Sequence, residues 1–135
     1  GLMPNAVEEL LRYDSSVERA MVRFVTQDTE LAGQCLQRGQ LLMAVVGSAN
    51  RDEALCPHPD TLDITRSACP HLSFGKGTHH CLGASLARQE LEIALNTLLR
   101  RCPGLQLAVA SEAVRWRYVP NFRGPEALPV RWSVD

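Results

Sequence analysis

Apolar positions along this chain switch between helical and strand-like spacing. Over residues 4–13, Ala6, Val7, Leu10 and Leu11 recur at three and four, which predicts a helix with one apolar stripe. Pro4 suits its first turn, and Glu9 and Arg12, three apart, share a face. Residues 21–26, Met-Val-Arg-Phe-Val-Thr, are strand formers. Asp28 to Gly33 reads as a turn, and Leu41 to Val46 as a second strand or buried segment bounded by Gly39 and Gly47. A short helix is expected over Ala49 to Glu53. Residues 54–80 hold Pro57, Pro59, Pro70, Gly75 and Gly77 and no sustained period. So long an irregular stretch in a compact domain is functional or disordered. The strongest helix is 82–101, where Leu86, Ala87, Leu91, Ala94, Leu95, Leu98 and Leu99 repeat before Pro103-Gly104 stops it. Leu105–Ala110, Val114–Tyr118 and Leu128–Val134 alternate like strands. No internal repeat is visible.

Composition narrows the class. With 135 residues, 45% hydrophobic and 21% charged, the chain fits one soluble domain. A net charge of -1 favours neither nucleic acid nor an acidic membrane as partner. The best apolar run, Leu41 to Gly47, is far below a membrane span. No basic stretch followed by an apolar block marks a secretory leader, so a cytoplasmic location is expected. All 14 basic residues except Lys76 are arginines, which grip carboxylates through paired hydrogen bonds. The chain opens at Gly1 almost directly into a helical pattern, as expected of a piece of something longer that lacks part of its own active site.

The 5 cysteines, Cys35, Cys56, Cys69, Cys81 and Cys102, are irregularly spaced with no Cys-x-x-Cys pair. That spacing suits neither a disulfide scaffold nor a structural zinc site. Cys35, Cys56, Cys69 and Cys102 are expected to be reduced, buried small hydrophobes. Cys81 differs. In Phe74-Gly75-Lys76-Gly77-Thr78-His79-His80-Cys81-Leu82-Gly83, a glycine-punctuated loop delivers it to the first turn of the long helix. Unpaired N–H groups and the positive end of the helix dipole favour a thiolate there. Gly75, Gly77 and Gly83 let backbone approach something bulky. A thiolate facing a flat, wide partner suits haem iron. A zinc reading of His79-His80-Cys81 is disfavoured, because adjacent side chains point apart and no fourth ligand is specified. His80 reads as an ordinary loop histidine.

On these residues the chain resembles the cytochrome P-450 family, the haem-thiolate monooxygenases. Phe74 to Gly83 is similar to the family's cysteine-ligand loop, Phe-Gly-x-Gly-x-His-x-Cys-x-Gly, and Leu86-Ala87-Arg88 to its bacterial continuation. Glu9-Leu10-Leu11-Arg12 is similar to the Glu-x-x-Arg helix motif, Arg66 to the second arginine of that cluster, and Ala49-Asn50-Arg51-Asp52 to a bacterial-type segment. Leu62 and Cys56 depart from the pattern where relatives carry aromatic residues.

The resemblance implies a mixed fold, mainly α with small β-sheets. All 135 residues would form a single partial domain, the C-terminal, proximal part of the P-450 fold that carries the haem-ligand loop. It implies haem b as cofactor, with Cys81 as axial ligand and the only metal ligand. His79 and Arg23 would be donors to the haem propionates, Phe74 the aromatic residue beside the thiolate, and Gly75 and Gly83 part of the haem-binding loop. Glu9, Arg12 and Arg66 would form a structural ion cluster behind the haem. No other catalytic residue is expected, because the family's distal helix has no counterpart. Expected partners are a small organic substrate and an electron donor such as a ferredoxin. Lys76, Arg88, Arg100 and Arg101 are read either as a solvated face or as its docking surface. The full-length form would insert one oxygen atom of dioxygen into its substrate, and little turnover is expected from these residues alone. An inactive truncated relative and a haem-binding module without oxygenase activity stay open as alternatives.

Overall fold

A computed structural model describes residues 1–19, 22–67 and 69–133. Helix α1 spans Met3–Tyr13 with proline in its first turn, and α3 spans Ala84–Arg101. Both stand close to their predicted bounds, because sustained periodicity is the most legible local signal. The two helices touch each other. Between them, α2 is a single turn, Val46–Ala49. It replaces the strand end predicted at 45–46 and begins earlier than the helix predicted at 49–53. Here burial of Val46 decides over its strand propensity.

The described strands form four antiparallel pairs rather than one sheet. β1 (Arg23–Phe24) pairs with β4 (Leu41–Leu42), Arg23 lying opposite Leu42. Met21, at the start of the predicted strand, lies outside the described residues. The segment expected as a turn, 28–33, instead opens a hairpin of β2 (Thr29–Leu31) and β3 (Gln34–Leu36). Its tip, Ala32-Gly33, has positive φ at both positions, the geometry two-residue hairpins favour. The hairpin is almost wholly exposed, so no alternation of apolar residues announced it. β5 (Gln106–Leu107) pairs with β8 (Val130–Arg131), shorter than predicted; Val134 lies outside the described residues. β6 (Trp116–Val119) pairs with β7 (Phe122–Pro125), a strand its Gly124-Pro125 end disguised.

The interior is small and unusually polar. Ala6, Val7, Val25, Val46, Cys56 and Ala84 are its buried apolar residues, whereas the largest fully buried side chains are Arg12, Asn50 and Cys56. The apolar stripe predicted for α1 is only half right: Ala6 and Val7 are buried and Leu10 is exposed, while Glu9 and Arg12 point inward. On α3 only Ala84 is buried; Leu86, Ile93, Leu98 and Leu99 are exposed. No described helix is long and apolar enough to cross a membrane.

The cysteine expectation is corrected. Cys56 and Cys69 form a disulfide with Cα atoms 5.5 Å apart, and Cys35 is exposed while Cys102 is half-buried. Sequence spacing could not show the contact, because the irregular 54–80 segment doubles back on itself.

Candidate functional site

Glu9 and Arg12 come from one turn of α1 and face the irregular segment. Arg12 Nε and Nη2 donate to the two carboxylate oxygens of Glu9 at 2.8 Å each. Its Nη1 donates to the carbonyls of Asn50 (3.0 Å) and Pro59 (2.8 Å), and Nη2 also reaches the Thr61 carbonyl. Arg66 Nε joins Glu9 at 3.1 Å, while its outer nitrogens bind the carbonyls of Pro57, His58 and Thr61. Two arginines thus satisfy carbonyls that a loop without secondary structure would leave unpaired. The Arg12 guanidinium holds the Glu9 carboxyl below its ordinary range; burial opposes this, and the Asp63 N–H and Arg66 assist.

Beyond the cluster, Asn50 fixes the approach to the cysteine loop. Its Oδ1 accepts from the Leu72 N–H at 2.7 Å, and its Nδ2 donates to Ser73 Oγ, which donates to the Leu11 carbonyl. Phe74 follows. The loop then turns through Gly75 and Gly77, at φ 71 and 78, into one 3-10 turn over Gly77–His79. The Cys81 N–H donates to the Phe74 carbonyl at 2.9 Å, closing the loop. Cys81 stands before the helix rather than in its first turn: Gly83 caps α3, and the Ala84 N–H binds the Cys81 carbonyl. Cys81 is exposed and Leu82 beside it is wholly exposed. A Cβ placed on Gly83 would come within 3.9 Å of Cys81 Sγ.

A third arrangement ties α1, α3 and the loop together. Arg88 donates to both oxygens of Glu8, at 2.6 and 3.0 Å, and lies 4.7 Å over the Phe74 ring. His71 Nε2 stands 3.2 Å from Glu8. Arg88 holds the Glu8 carboxyl below its ordinary range, and burial opposes the shift.

The family profile for cytochrome P-450 matches residues 1–105. The chain belongs to the cytochrome P-450 family. It is similar to the nocardicin C N-oxygenase of Nocardia uniformis subsp. tsuyamanensis, 48% identical over 132 residues, covering 97% of this chain and 33% of that protein. It is similar also to the mycinamicin IV hydroxylase/epoxidase of Micromonospora griseorubida, 45% identical over 132 residues, with 97% and 33% covered. Among solved structures it superposes on the bacillaene polyketide synthase cytochrome P-450 PksS of Bacillus subtilis with a TM-score of 0.94 at 45% identity, covering 98% of this chain and 34% of that one. The chain therefore spans about a third of the length of the relatives it matches. The fold is the expected part of a P-450, with three α-helices and small sheets among the described residues, and the family's cofactor is haem b.

The residues present in this P-450 chain fit that cofactor in their chemistry. The exposed Cys81 thiol stands at the end of a hydrogen-bonded loop, and none of the described residues accepts a hydrogen bond from the N–H of Leu82 or Gly83 beside it. Backbone donors near a sulfur ligand tune it. Among the described residues no group of three or more His, Cys, Asp or Glu is arranged for a metal. The structure brings Phe74, Gly75, Cys81 and Gly83 into one loop. It places His79 at the end of the 3-10 turn, exposed, and Arg23 on β1, exposed, with Nη1 on the Val22 carbonyl. Arg88, read from sequence as a surface cation, is committed to Glu8 and Phe74. Glu8, Asn50 and His71 were missed. The doubled Glu8-Glu9 on a one-sided helix was the available signal for Glu8; Asn50 stood in the Ala49-Asn50-Arg51-Asp52 segment, whose resemblance gave it no role.

Proposed function

We propose that this chain is the proximal part of a haem-thiolate monooxygenase, in which the Cys81 thiolate would hold the haem iron. The observation that carries the reading is the closed loop from Phe74 to Cys81, which holds one exposed sulfur at the entry to α3. When bound, haem b supplies dioxygen activation, with one oxygen atom going to an organic substrate and the other, with two electrons, to water. The chain's own residues position that cofactor. Cys81 would bind the iron, and Gly83 sets backbone alongside the sulfur, 3.9 Å separating Sγ from where a Cβ would stand. The Leu82 and Gly83 N–H groups have no acceptor among the described residues and would moderate the sulfur's charge. Phe74 covers the loop beside the thiolate, itself held by Arg88. His79 and Arg23 donate to the propionates. Glu9, Arg12 and Arg66 fix the loop behind.

Electrons come from a donor protein such as a ferredoxin, and the substrate is a small organic molecule. Lys76, Arg100 and Arg101 are exposed and available to an acidic donor surface, whereas Arg88 is neutralised by Glu8. Reduction that weakens with rising ionic strength supports this docking; salt-independent reduction refutes it. Cytoplasmic location follows from the same assignment. The 135 residues alone give one wall of a pocket, Cys81 and Leu82 lying open, so little or no turnover is expected from them.

The decisive test is the absorption spectrum of the reduced, carbon-monoxide-bound protein. Thiolate ligation shifts the main band far to the red, and Cys81→Ala abolishes the shift. Persistence of the shift in that variant, or failure of the intact protein to hold hemin, overturns the assignment.

A further inference from the structure

We propose that Cys56–Cys69 is a thiol–disulfide exchange site, opened by a dithiol reductant at Cys69 and closed by a small disulfide oxidant. The two sulfurs differ in access. Cys56 is 1% exposed, whereas Cys69 is half-buried and lines an open cavity of about 580 Å³ shared with Leu55, Pro70, Lys76 and Arg88. An incoming thiolate therefore meets Cys69 first, in a cavity that the Lys76 ammonium also lines; Arg88 and Glu8, which line it too, neutralise each other.

The leaving sulfur is equally defined. Arg66 Nη1 lies 3.6 Å from Cys56 Sγ, while Glu9 occupies the Nε side of the same guanidinium. A cation beside a sulfur favours its thiolate, and a better-stabilised thiolate leaves faster. In the opening step the reductant's thiolate bonds to Cys69 Sγ, the Cys56–Cys69 bond breaks, and its electron pair stays on Cys56. The reductant's second thiol, once deprotonated, then attacks the mixed disulfide. This releases Cys69 as thiolate and leaves the reductant as its own disulfide. Closure runs the same exchange backwards, with the oxidant taking the two electrons. The bond joins the ends of the segment that carries Arg66, so its state bears on how firmly that segment is held. The exchange itself requires no haem and stands or falls apart from the oxygenase reading.

The test equilibrates the full chain in glutathione buffers of graded ratio, without denaturant. Samples are quenched in acid, alkylated with N-ethylmaleimide and mapped by peptide mass spectrometry. Cys56 and Cys69 are expected to become alkylated together in one reversible step, while the exposed Cys35 and Cys81 carry either maleimide or glutathione according to the buffer and never pair with them. Glutathione trapped during opening is expected on Cys69. The Cys56→Ser chain should take up glutathione at Cys69 at least tenfold faster than the Cys69→Ser chain takes it up at Cys56. If either variant fails to fold, the adduct trapped in the unaltered chain identifies the attacked sulfur. A bond that opens only after unfolding, two thiols that never pair in oxidising buffer, or an adduct on Cys56 would each overturn the proposal.

Discussion

Arg12 and Glu9 meet through two hydrogen bonds of 2.8 Å while their side chains are only 1% and 4% exposed. Two charges so sealed from water are costly to bury, and the pair is not by itself evidence of high stability. Its value lies in what Arg12 does with its remaining donors, which reach carbonyls at Asn50, Pro59 and Thr61. Removing one partner strips a buried charge of its main counter-charge: Glu9 keeps only Arg66 and the Asp63 N–H, and Arg12 keeps only its carbonyls. Arg12→Ala and Glu9→Ala are each expected to cost about 3–5 kcal/mol. Because they share one network, the double variant should lose clearly less than the sum. Urea unfolding of the singles and the double measures this; strict additivity would show that the pair acts through no mutual contact.

The same cluster sets a pH dependence. Glu8 and Glu9 both titrate below their ordinary value of 4.5, held by Arg88 and Arg12 respectively. A carboxyl whose folded value is depressed contributes stability that is present above 4.5 and is lost as pH falls through the depressed value. Unfolding midpoints are therefore expected to be flat near neutrality and to fall steeply on acidification below 4.5. Glu8→Gln should lower the neutral plateau and make the acid decline shallower. An unchanged acid profile in that variant would remove Glu8 from the account.

Much of this arrangement was legible before any coordinates. The family resemblance groups Glu9 and Arg12 with the distant Arg66, and the cysteine-loop motif groups Phe74, Gly75, Cys81 and Gly83. The long helices were legible because many residues report one period. What failed was whatever depends on contacts distant in sequence. Cys56 and Cys69 are 13 residues apart in a segment with no period, so nothing local marks their pairing. The exposed β2–β3 hairpin has no buried face to write an alternation. Arg88 looked like a surface cation because its partner, Glu8, lies on another helix, 80 residues away.

Asn50 concentrates three roles in one buried side chain and its carbonyl. It accepts from the Leu72 N–H, donates to Ser73 and offers its carbonyl to Arg12. Asn50→Ala removes the first two and leaves their partners unsatisfied, at an expected cost of about 2–4 kcal/mol. Asn50→Asp keeps the acceptor for Leu72 but loses the donor to Ser73. It is expected to be less destabilising at low pH, where the new carboxyl is protonated, than at neutrality. Equal losses in both variants at every pH would show that volume, not hydrogen bonding, matters here.

The disulfide closes a loop of 13 residues in sequence separation. Loop-closure entropy for that length corresponds to about 3 kcal/mol in the unfolded chain. Reduction should therefore lower the unfolding midpoint measurably, with Cys35→Ser as a control that leaves it unchanged. Identical midpoints for the reduced and oxidised chains would show that the 56–69 segment is held by the arginine cluster alone.

Two glycines of the cysteine loop separate backbone strain from contact. Gly77 has φ 78 and no heavy atom within 4 Å of where a Cβ would stand. Gly77→Ala therefore meets no clash, and its cost is conformational, about 1–2 kcal/mol for an L residue in left-handed geometry. Gly83 has φ -83, which any residue adopts, but its added Cβ would lie 3.9 Å from Cys81 Sγ. Gly83→Ala should leave the unfolding midpoint almost unchanged while the methyl shields one side of the thiol and slows alkylation of Cys81. Gly77→Ala should do the reverse, lowering the midpoint while leaving access to the sulfur free in the folded chain. Measuring both quantities on both variants tests the loop geometry itself. If Gly83→Ala proved the destabilising one, Cys81 would not sit over that backbone in the folded protein.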